Sequence, residues 1–315
     1  MTSGQAIILQ AFQILFVLLL SPLIKGILNR WKEFLQGKRG PSIFQPYYDL
    51  RKLFHKEILI PEDAGPLYRI APYIYFAAPL IVTLLIPVLT SFPLFMAFAG
   101  DMMAGGFILG MGTFMLLTGA TAASSPYGGI GSTRARFVSM AVEPALILIL
   151  FGVSFSTHYT IPYFVNQSLA QMGWSPVHLL LIASFFAVFL AETGRIPVDN
   201  PSSHREFSMI DKNREYDYSG PYLALIEWGG GMKYVVLGTI FLNVIVSPWA
   251  LAPRWGLWPV VLAIILVFVK FLGLNAAVAW LESSVGKLRL LRVAEFMVSA
   301  VVLTFVAVVL TVTGM

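Results

Sequence analysis

Long uncharged apolar runs, separated by shorter polar stretches, dominate the chain. Eight of them are long enough to matter: roughly 5–28, 70–92, 102–124, 137–158, 177–193, 222–248, 257–281 and 293–313. A helix needs about 20 apolar residues to cross the hydrocarbon core of a bilayer. The runs are continuous, whereas the strands of a membrane barrel would alternate apolar and polar positions. The pattern predicts an all-α membrane protein with about eight transmembrane helices, residues 1–315 forming one integral-membrane domain.

The basic residues test that count. Segment 25–69 holds Lys25, Arg30, Lys32, Lys38, Arg39, Arg51, Lys52, Lys56 and Arg69, and the next connection, near 93–101, holds none. Arg134 and Arg136 follow, then none near 159–176, then Arg195, Arg205, Lys212 and Arg214, then Arg254 alone, then Lys287, Arg289 and Arg292. Lys233 and Lys270 fall inside spans. Cytoplasmic loops carry the excess of Lys and Arg. Both termini are therefore expected on the periplasmic or external side of a prokaryotic inner membrane. No charge precedes Lys25 and no small-residue cleavage site follows a short apolar core, so the first run reads as a retained span.

Composition agrees. Hydrophobic residues make up 57% and charged ones 12%, against about 25% charged in a typical soluble domain. The outside must face lipid or other apolar protein. The net charge of +5 thus reflects topology and not nucleic-acid binding. The chain has no cysteine, which excludes disulfides, thiolate zinc sites and cysteine-ligated iron–sulfur clusters on it.

Two long segments lie on the basic side. In the 29–69 loop, Tyr47, Leu50, Phe54 and Ile58 fall at helical spacing within 46–60, with Asp49, Lys52, His55 and Lys56 on other faces. This predicts an amphipathic helix on the membrane surface or a docking surface for a soluble partner, with Arg39, Asp49 and Lys52 as candidate contacts. The second loop, 194–220, carries Asp199, Glu206, Asp211, Glu215 and Asp217 among its basic residues. A bare connector is usually shorter, so this loop should be structured and partner-facing. Ser202 or Ser203 could cap a short helix there.

An ionisable side chain at a span centre costs about 2.5–3.5 kcal/mol on insertion scales, and so signals function by default. Glu143, Glu192, Glu227, Glu282 and Glu295 all fall at the cytoplasmic ends of spans, at similar depth. Lys233 and Lys270 lie deeper and either act or snorkel. Interfacial ion pairs are the plainer reading for Glu295 with Arg292, and for Glu282 with Lys287 or Arg289. The four histidines show no metal spacing, Asn166-Gln167-Ser168 matches a glycosylation sequon by accident, and Gly229-Gly230-Gly231 permits close packing or a helix break.

The stretch Ala191-Glu192-Thr193-Gly194-Arg195-Ile196-Pro197-Val198-Asp199 resembles the signature of the H-subunit family of NADH–quinone oxidoreductase, respiratory complex I. Arg39-Gly40-Pro41, Gln45-Pro46-Tyr47-Tyr48-Asp49-Leu50, Val142-Glu143-Pro144, Tyr218-Ser219-Gly220, Leu223–Trp228 and Leu281-Glu282-Ser283 extend the likeness through most of the chain. Within that superfamily it is most similar to the hydrogenase-4 component C type, the membrane subunit of group 4 hydrogenases and formate hydrogenlyase. Component C relatives carry a His-Glu pair where this chain has Asp211-Lys212.

The resemblance implies a membrane-anchor and coupling subunit with no redox centre of its own. Iron–sulfur clusters, with nickel–iron as a further candidate, would sit on peripheral large, small and iron–sulfur subunits, beside antiporter-like membrane subunits. It implies an ion pathway through Glu143, Glu192, Glu227, Glu282 and Lys233. A loop or chamber set of Arg195, Asp199, Glu206, Asp211 and Asp217 would go with it. Two alternatives stand beside this: a quinone-chamber subunit of an NADH–quinone oxidoreductase, and a stand-alone secondary ion transporter.

Overall fold

A computed structural model describes residues 3–172, 174–199, 210 and 212–313. Among these are ten α-helices and no strand, the one β-type pairing being a bridge between Thr90 and Ala252. Seven helices are long and apolar enough to span a bilayer. They are α1 (Ser3–Leu35), α3 (Pro66–Leu85), α4 (Met102–Thr121), α5 (Pro126–Thr157), α8 (Gly220–Thr239), α9 (Leu257–Ser284) and α10 (Leu290–Thr313). The eighth expected span is α7 (Pro176–Glu192), 17 residues long, near the lower limit for crossing. Two shorter helices lie between spans, α2 (Gln45–Phe54) and α6 (Pro162–Met172).

Several helices carry proline at their first or second residue, where its fixed φ and missing N–H suit a first turn: α2, α3, α5, α7 and α8. Asp101 caps α4 through Ala104 N–H at 2.7 Å, and Ser175 caps α7 through His178 N–H at 3.2 Å. Two helices outrun their apolar segments. Helix α1 continues to Leu35 and α5 starts at Pro126, so Lys25, Lys32, Arg134 and Arg136 stand on helices and not in loops. Hydropathy marks where lipid is, not where a helix stops. Helix α6, too short to cross, leaves no mark in the apolar pattern for the same reason.

Close approach between helices follows small residues. A Cβ on Gly112 would lie 2.8 Å from the Ala78 methyl, and one on Gly119 would lie 2.4 Å from that of Ala71. These positions, seven apart on both helices, lock α3 onto α4. The triple glycine also serves packing: α8 runs through it unbroken, and a Cβ on Gly229 would stand 3.0 Å from the Tyr75 ring. The irregularity comes later, where α8 continues as a π-helical segment, Ile240–Val246.

Helix α8 is central, 83% of its most apolar stretch being buried, against 22% for α9 and α10. Those two helices turn Trp280, Leu291, Val298, Val302 and Phe305 outward. Helix α2 has no buried residue, as a surface-lying amphipathic helix requires. It ends at Phe54, short of Ile58, with Phe54 edge-on to Trp228 of α8. The chain that follows crosses the start of α8, where Gly220 has φ +52° and a Cβ would meet the Glu57 carbonyl at 2.5 Å.

Candidate functional site

Three ion-pair groups converge where α1, α7, α8 and α9 meet the charged loops, the first and third buried and the second partly exposed. In the first, Lys233 of α8 lies 3.0 Å from the Glu192 carboxylate at the end of α7 and donates to Thr113 Oγ1 of α4 at 2.8 Å. The carboxyl of Glu143 packs 3.5 Å from the Cβ position of Gly110 and interacts electrostatically with Glu192 and Lys233.

In the second, Glu227 of α8 is gripped from both sides, by Lys25 of α1 and by Lys212. Lys212 opens a 3-10 turn, Lys212–Glu215, and also pairs with Glu215 at 2.9 Å. Burial opposes the charge on Lys212, but the carboxylates of Glu215 and Glu227 outweigh it and hold the ammonium above the ordinary lysine range. Glu215 goes the other way: burial raises it above the usual carboxylate value, and Lys212 offsets only part.

In the third, Glu282 of α9 meets Lys32 of α1 at 2.6 Å and Arg195 at 3.7 Å. The Arg195 guanidinium stands 5.1 Å over the Tyr234 ring, a cation–π contact. The expected pairing of Glu282 with Lys287 or Arg289 therefore does not occur. Glu282 is buried and turns inward to α1, while Lys287 goes to Asp199 at 2.7 Å. Glu295 is exposed, with no ion pair among the described residues.

The 194–220 loop is fastened at several points. Asp199 is buried and, besides Lys287, accepts from Ile210 N–H at 3.1 Å, and Leu288 N–H donates to the Pro197 carbonyl at 2.8 Å. Arg214 lies 5.8 Å over the Tyr75 ring. The Asp217 carbonyl accepts from Tyr68 at 2.6 Å, and the Tyr68 and Tyr218 rings stack 4.4 Å apart. Burial raises the Tyr218 phenol, so it stays neutral. Gly128 and Gly131 of α5 leave room for Asp217 and Asn213. Glu206, Asp211 and the proposed cap at Ser202 or Ser203 lie outside the described residues.

Two adjoining cavities complete the site. One, about 360 Å³, is lined by Lys25, Lys32, Glu192, Arg195, Lys212, Arg214, Glu215, Glu227, Lys233 and Tyr234. The other, about 400 Å³, opens between α1, α2 and α8, with Pro22, Pro41, Pro46, Leu50, Leu53 and Trp228 as its apolar part and Asp49 and Lys52 at its edge. Ser21, Lys25, Asn29, Pro41, Lys212, Glu227 and Gly231 belong to both. The Lys25–Glu227–Lys212 bridge thus stands between a charged chamber and a more apolar one. Arg39 is exposed and lines neither.

The sequence singles out the acids with Lys233 and Arg195, but not the other partners. Lys25 and Lys32 serve there as topology markers, although their spacing of seven puts both on one face of α1. Lys212 and Glu215 read as loop charges. Thr113 carries no sequence signal beyond a hydroxyl in a span.

A family model described as NADH dehydrogenase matches residues 8–313. Hydrogenase-4 component C of Escherichia coli (strain K12) is 29% identical, over 92% of this chain and 91% of the relative. Formate hydrogenlyase subunit 4 of the same organism is 27% identical, over 88% and 90%. The H 1 subunit of NADH-quinone oxidoreductase from Symbiobacterium thermophilum is 30% identical, over 74% of each. Among solved structures, a chain of the membrane-bound sulfane sulfur reductase, described as an archaeal respiratory membrane complex, superposes with a TM-score of 0.84. It covers 98% of this chain and 99% of that one at 18% identity, so that likeness speaks to fold. The resemblance read from the Glu192–Asp199 stretch holds along the whole chain: it is a multi-pass membrane protein and belongs to the NADH dehydrogenase family.

Proposed function

We propose that this chain is the membrane-anchor and coupling subunit of a multi-subunit oxidoreductase of the group 4 hydrogenase, formate hydrogenlyase and complex I type. The observation that carries this reading is the set of buried and half-buried ion pairs around one charged chamber. Glu192–Lys233, Lys25–Glu227–Lys212 and Lys32–Glu282–Arg195 join four helices to the charged loop, and every member but Glu282 lines a cavity of about 360 Å³. Buried ion pairs cost desolvation energy that apolar packing would not, and ionisable groups at membrane depth mark ion pathways. A change of charge at any one member alters the stability of its neighbours' charged forms, which is how protons can be passed or a conformation switched.

The charged loops face the same side as the chamber, which suits a docked redox arm carrying iron–sulfur clusters, and nickel–iron in hydrogenase-type relatives. With no cysteine in the sequence, electrons would travel on partners. Antiporter-like membrane subunits would take up the apolar faces left beside the arm. On this reading the loops face the cytoplasm of a prokaryotic cell and both termini face outward. A stand-alone transporter fits less well, because the relatives are named as a component or subunit of larger enzymes.

One observation favours a quinone-binding version of the same role. The more apolar chamber of about 400 Å³ borders the charged one through Glu227, the arrangement a lipophilic acceptor near proton donors would need.

The test is Glu192→Gln in the intact complex in inverted vesicles. Reduced methyl viologen serves as donor, with protons, a quinone and sulfane sulfur offered in turn as acceptor. Electron transfer with a strongly diminished ion uptake per electron is expected. Wild-type uptake and wild-type electron transfer would overturn the coupling role.

A further inference from the structure

A second polar zone lies on the opposite side from the charged loops, at the far end of α8. There the backbone leaves α-helical geometry, runs as the π-helical segment Ile240–Val246, and closes with Ser247 N–H on the Leu242 carbonyl at 2.9 Å. Non-α backbone at membrane depth is tolerated where it is buried in protein or lines a cavity, and π segments are common at functional positions. Lys270 reaches from α9 to this segment. Its ammonium donates to Asn243 Oδ1 at 3.0 Å, to the Ser247 carbonyl at 2.8 Å and to the Trp249 carbonyl at 2.6 Å.

The chemistry of this cage sets Lys270 apart. Lys25, Lys32, Lys212, Lys233 and Lys287 each face a carboxylate. Lys270 faces three neutral oxygens, and among the described residues no charged group pairs with it or acts on it. The other titratable groups on the segment are spent on backbone: His178 of α7 on the Ile245 carbonyl and Tyr163 of α6 on the Ile86 carbonyl. Asn243 is itself clamped, its amide donating to the carbonyls of Pro87 at 3.1 Å and Val88 at 2.9 Å. A helix C-terminus with free carbonyls is a cation site, the one used for sodium ions and protons in transporters with broken helices. Here a tethered ammonium fills it. A carboxylate partner would fix that proton strongly. A neutral cage does not, and a neutral amine still donates two hydrogens to it.

The surroundings give a direction. A shallow, largely apolar pocket of about 470 Å³, lined by Ala250, Leu251, Arg254, Trp258, Leu262 and Leu266, lies on the same outer side; Lys270 does not line it, and Leu266 is about one turn from Lys270. Toward the loops, Phe271 and Leu274 are buried against Gly238, where a Cβ would lie 2.7 Å from the Phe271 ring. This apolar layer separates the cage from the Tyr234–Asn275 pair, bonded at 2.8 Å, and so from Arg195 and Glu282.

We propose that Lys270 is a proton-release group, through which a proton leaves for the face opposite the charged loops. This rests on the coupling role proposed above. In the step, an Nζ–H bond breaks, the electron pair stays on nitrogen, and the proton passes to water at the outer face. A proton from the loop-side acids, which must cross the Phe271–Leu274 layer, then restores the ammonium.

The experiment compares Lys270→Arg and Lys270→His in the intact complex in inverted vesicles, with reduced methyl viologen as donor and proton uptake read by a pH-sensitive dye. Arginine can donate to the same oxygens but does not release a proton, so protons moved per electron should fall about ten-fold or more. Histidine can release one, and its uptake should persist with the pH profile moved toward acid, since an imidazole ordinarily loses its proton at lower pH than an alkylamine. Wild-type proton uptake per electron in Lys270→Arg overturns the proposal, as does an unmoved profile in Lys270→His. Failure of both variants to assemble also overturns it, assigning the lysine to holding the helix end. Glu192→Gln separates the two readings. If it loses uptake while Lys270→Arg keeps it, the Lys270 assignment alone fails; if it keeps uptake, the coupling role fails.

Discussion

Lys233 Nζ lies 3.0 Å from the Glu192 carboxylate, with the two side chains 6% and 5% exposed. The other oxygen of that carboxylate is buried and has no hydrogen-bond partner among the described residues. Removing one member of such a pair strands the other's charge, at a cost of about 3–5 kcal/mol. Glu192→Ala should therefore lower thermal stability by that order. Glu192→Ala combined with Lys233→Met should recover part of the loss. Thermal unfolding of the purified complex in a double-mutant cycle checks this, and strictly additive effects would contradict a direct pair.

Glu282 neutralises two cations at once, Lys32 and Arg195. Glu282→Gln leaves both charged and facing each other, whereas Lys32→Met leaves Glu282 with Arg195. The first should destabilise more, by about 1–2 kcal/mol beyond the second. Melting temperatures of the two variants decide it, and equal values would argue against the shared acid.

Asp199 ties the 194–220 loop to the segment before α10 through Lys287 at 2.7 Å, and to Ile210 N–H at 3.1 Å. Asp199→Asn keeps the shape and loses the charge. It should destabilise loop attachment by about 1.5–3 kcal/mol, the worth of a hydrogen bond to a charged group. Lys287→Met should do much the same. Hydrogen exchange at Ile210 and Leu288 is the measurement, with faster exchange expected in both variants.

Glu215 supplies a pH dependence. Burial raises its folded-state pKa above the ordinary 4.5, and Lys212 counters only part of that. The folded protein then holds this proton more tightly than the unfolded chain. Its stabilisation is complete below pH 4.5 and is lost as pH rises through the raised value. Acidification from about pH 8 toward about pH 5 should add stability through this group. Glu215→Gln should flatten that component in thermal unfolding curves compared across the same range.

Much of this is legible in the chain. Apolar runs and the one-sided distribution of Lys and Arg mark the spans, and Glu143, Glu192, Glu227 and Glu282 stand out because lipid penalises charge. Lys233 stands out for the same reason and Arg195 through the loop motif, but the other partners stay hidden for a physical reason. Lys25 and Lys32 lie on a helical extension that a hydropathy pattern does not mark, and Lys212 reaches Glu227 only through the path of a long loop. Glu282 has basic neighbours in sequence, but its partners come from α1 and from Arg195. The π-helical end of α8 has no glycine or proline to announce it, so the cage around Lys270 emerges only in three dimensions.

The central claim is that electron transfer changes the charge on the buried acids. Infrared difference spectroscopy of the intact complex, reduced against oxidised, reads the carboxyl C=O stretch directly, and Glu192→Gln assigns the band. A redox-dependent carboxyl signal that disappears in Glu192→Gln is the predicted result. A difference spectrum with no such signal, or one untouched by that substitution, would contradict it.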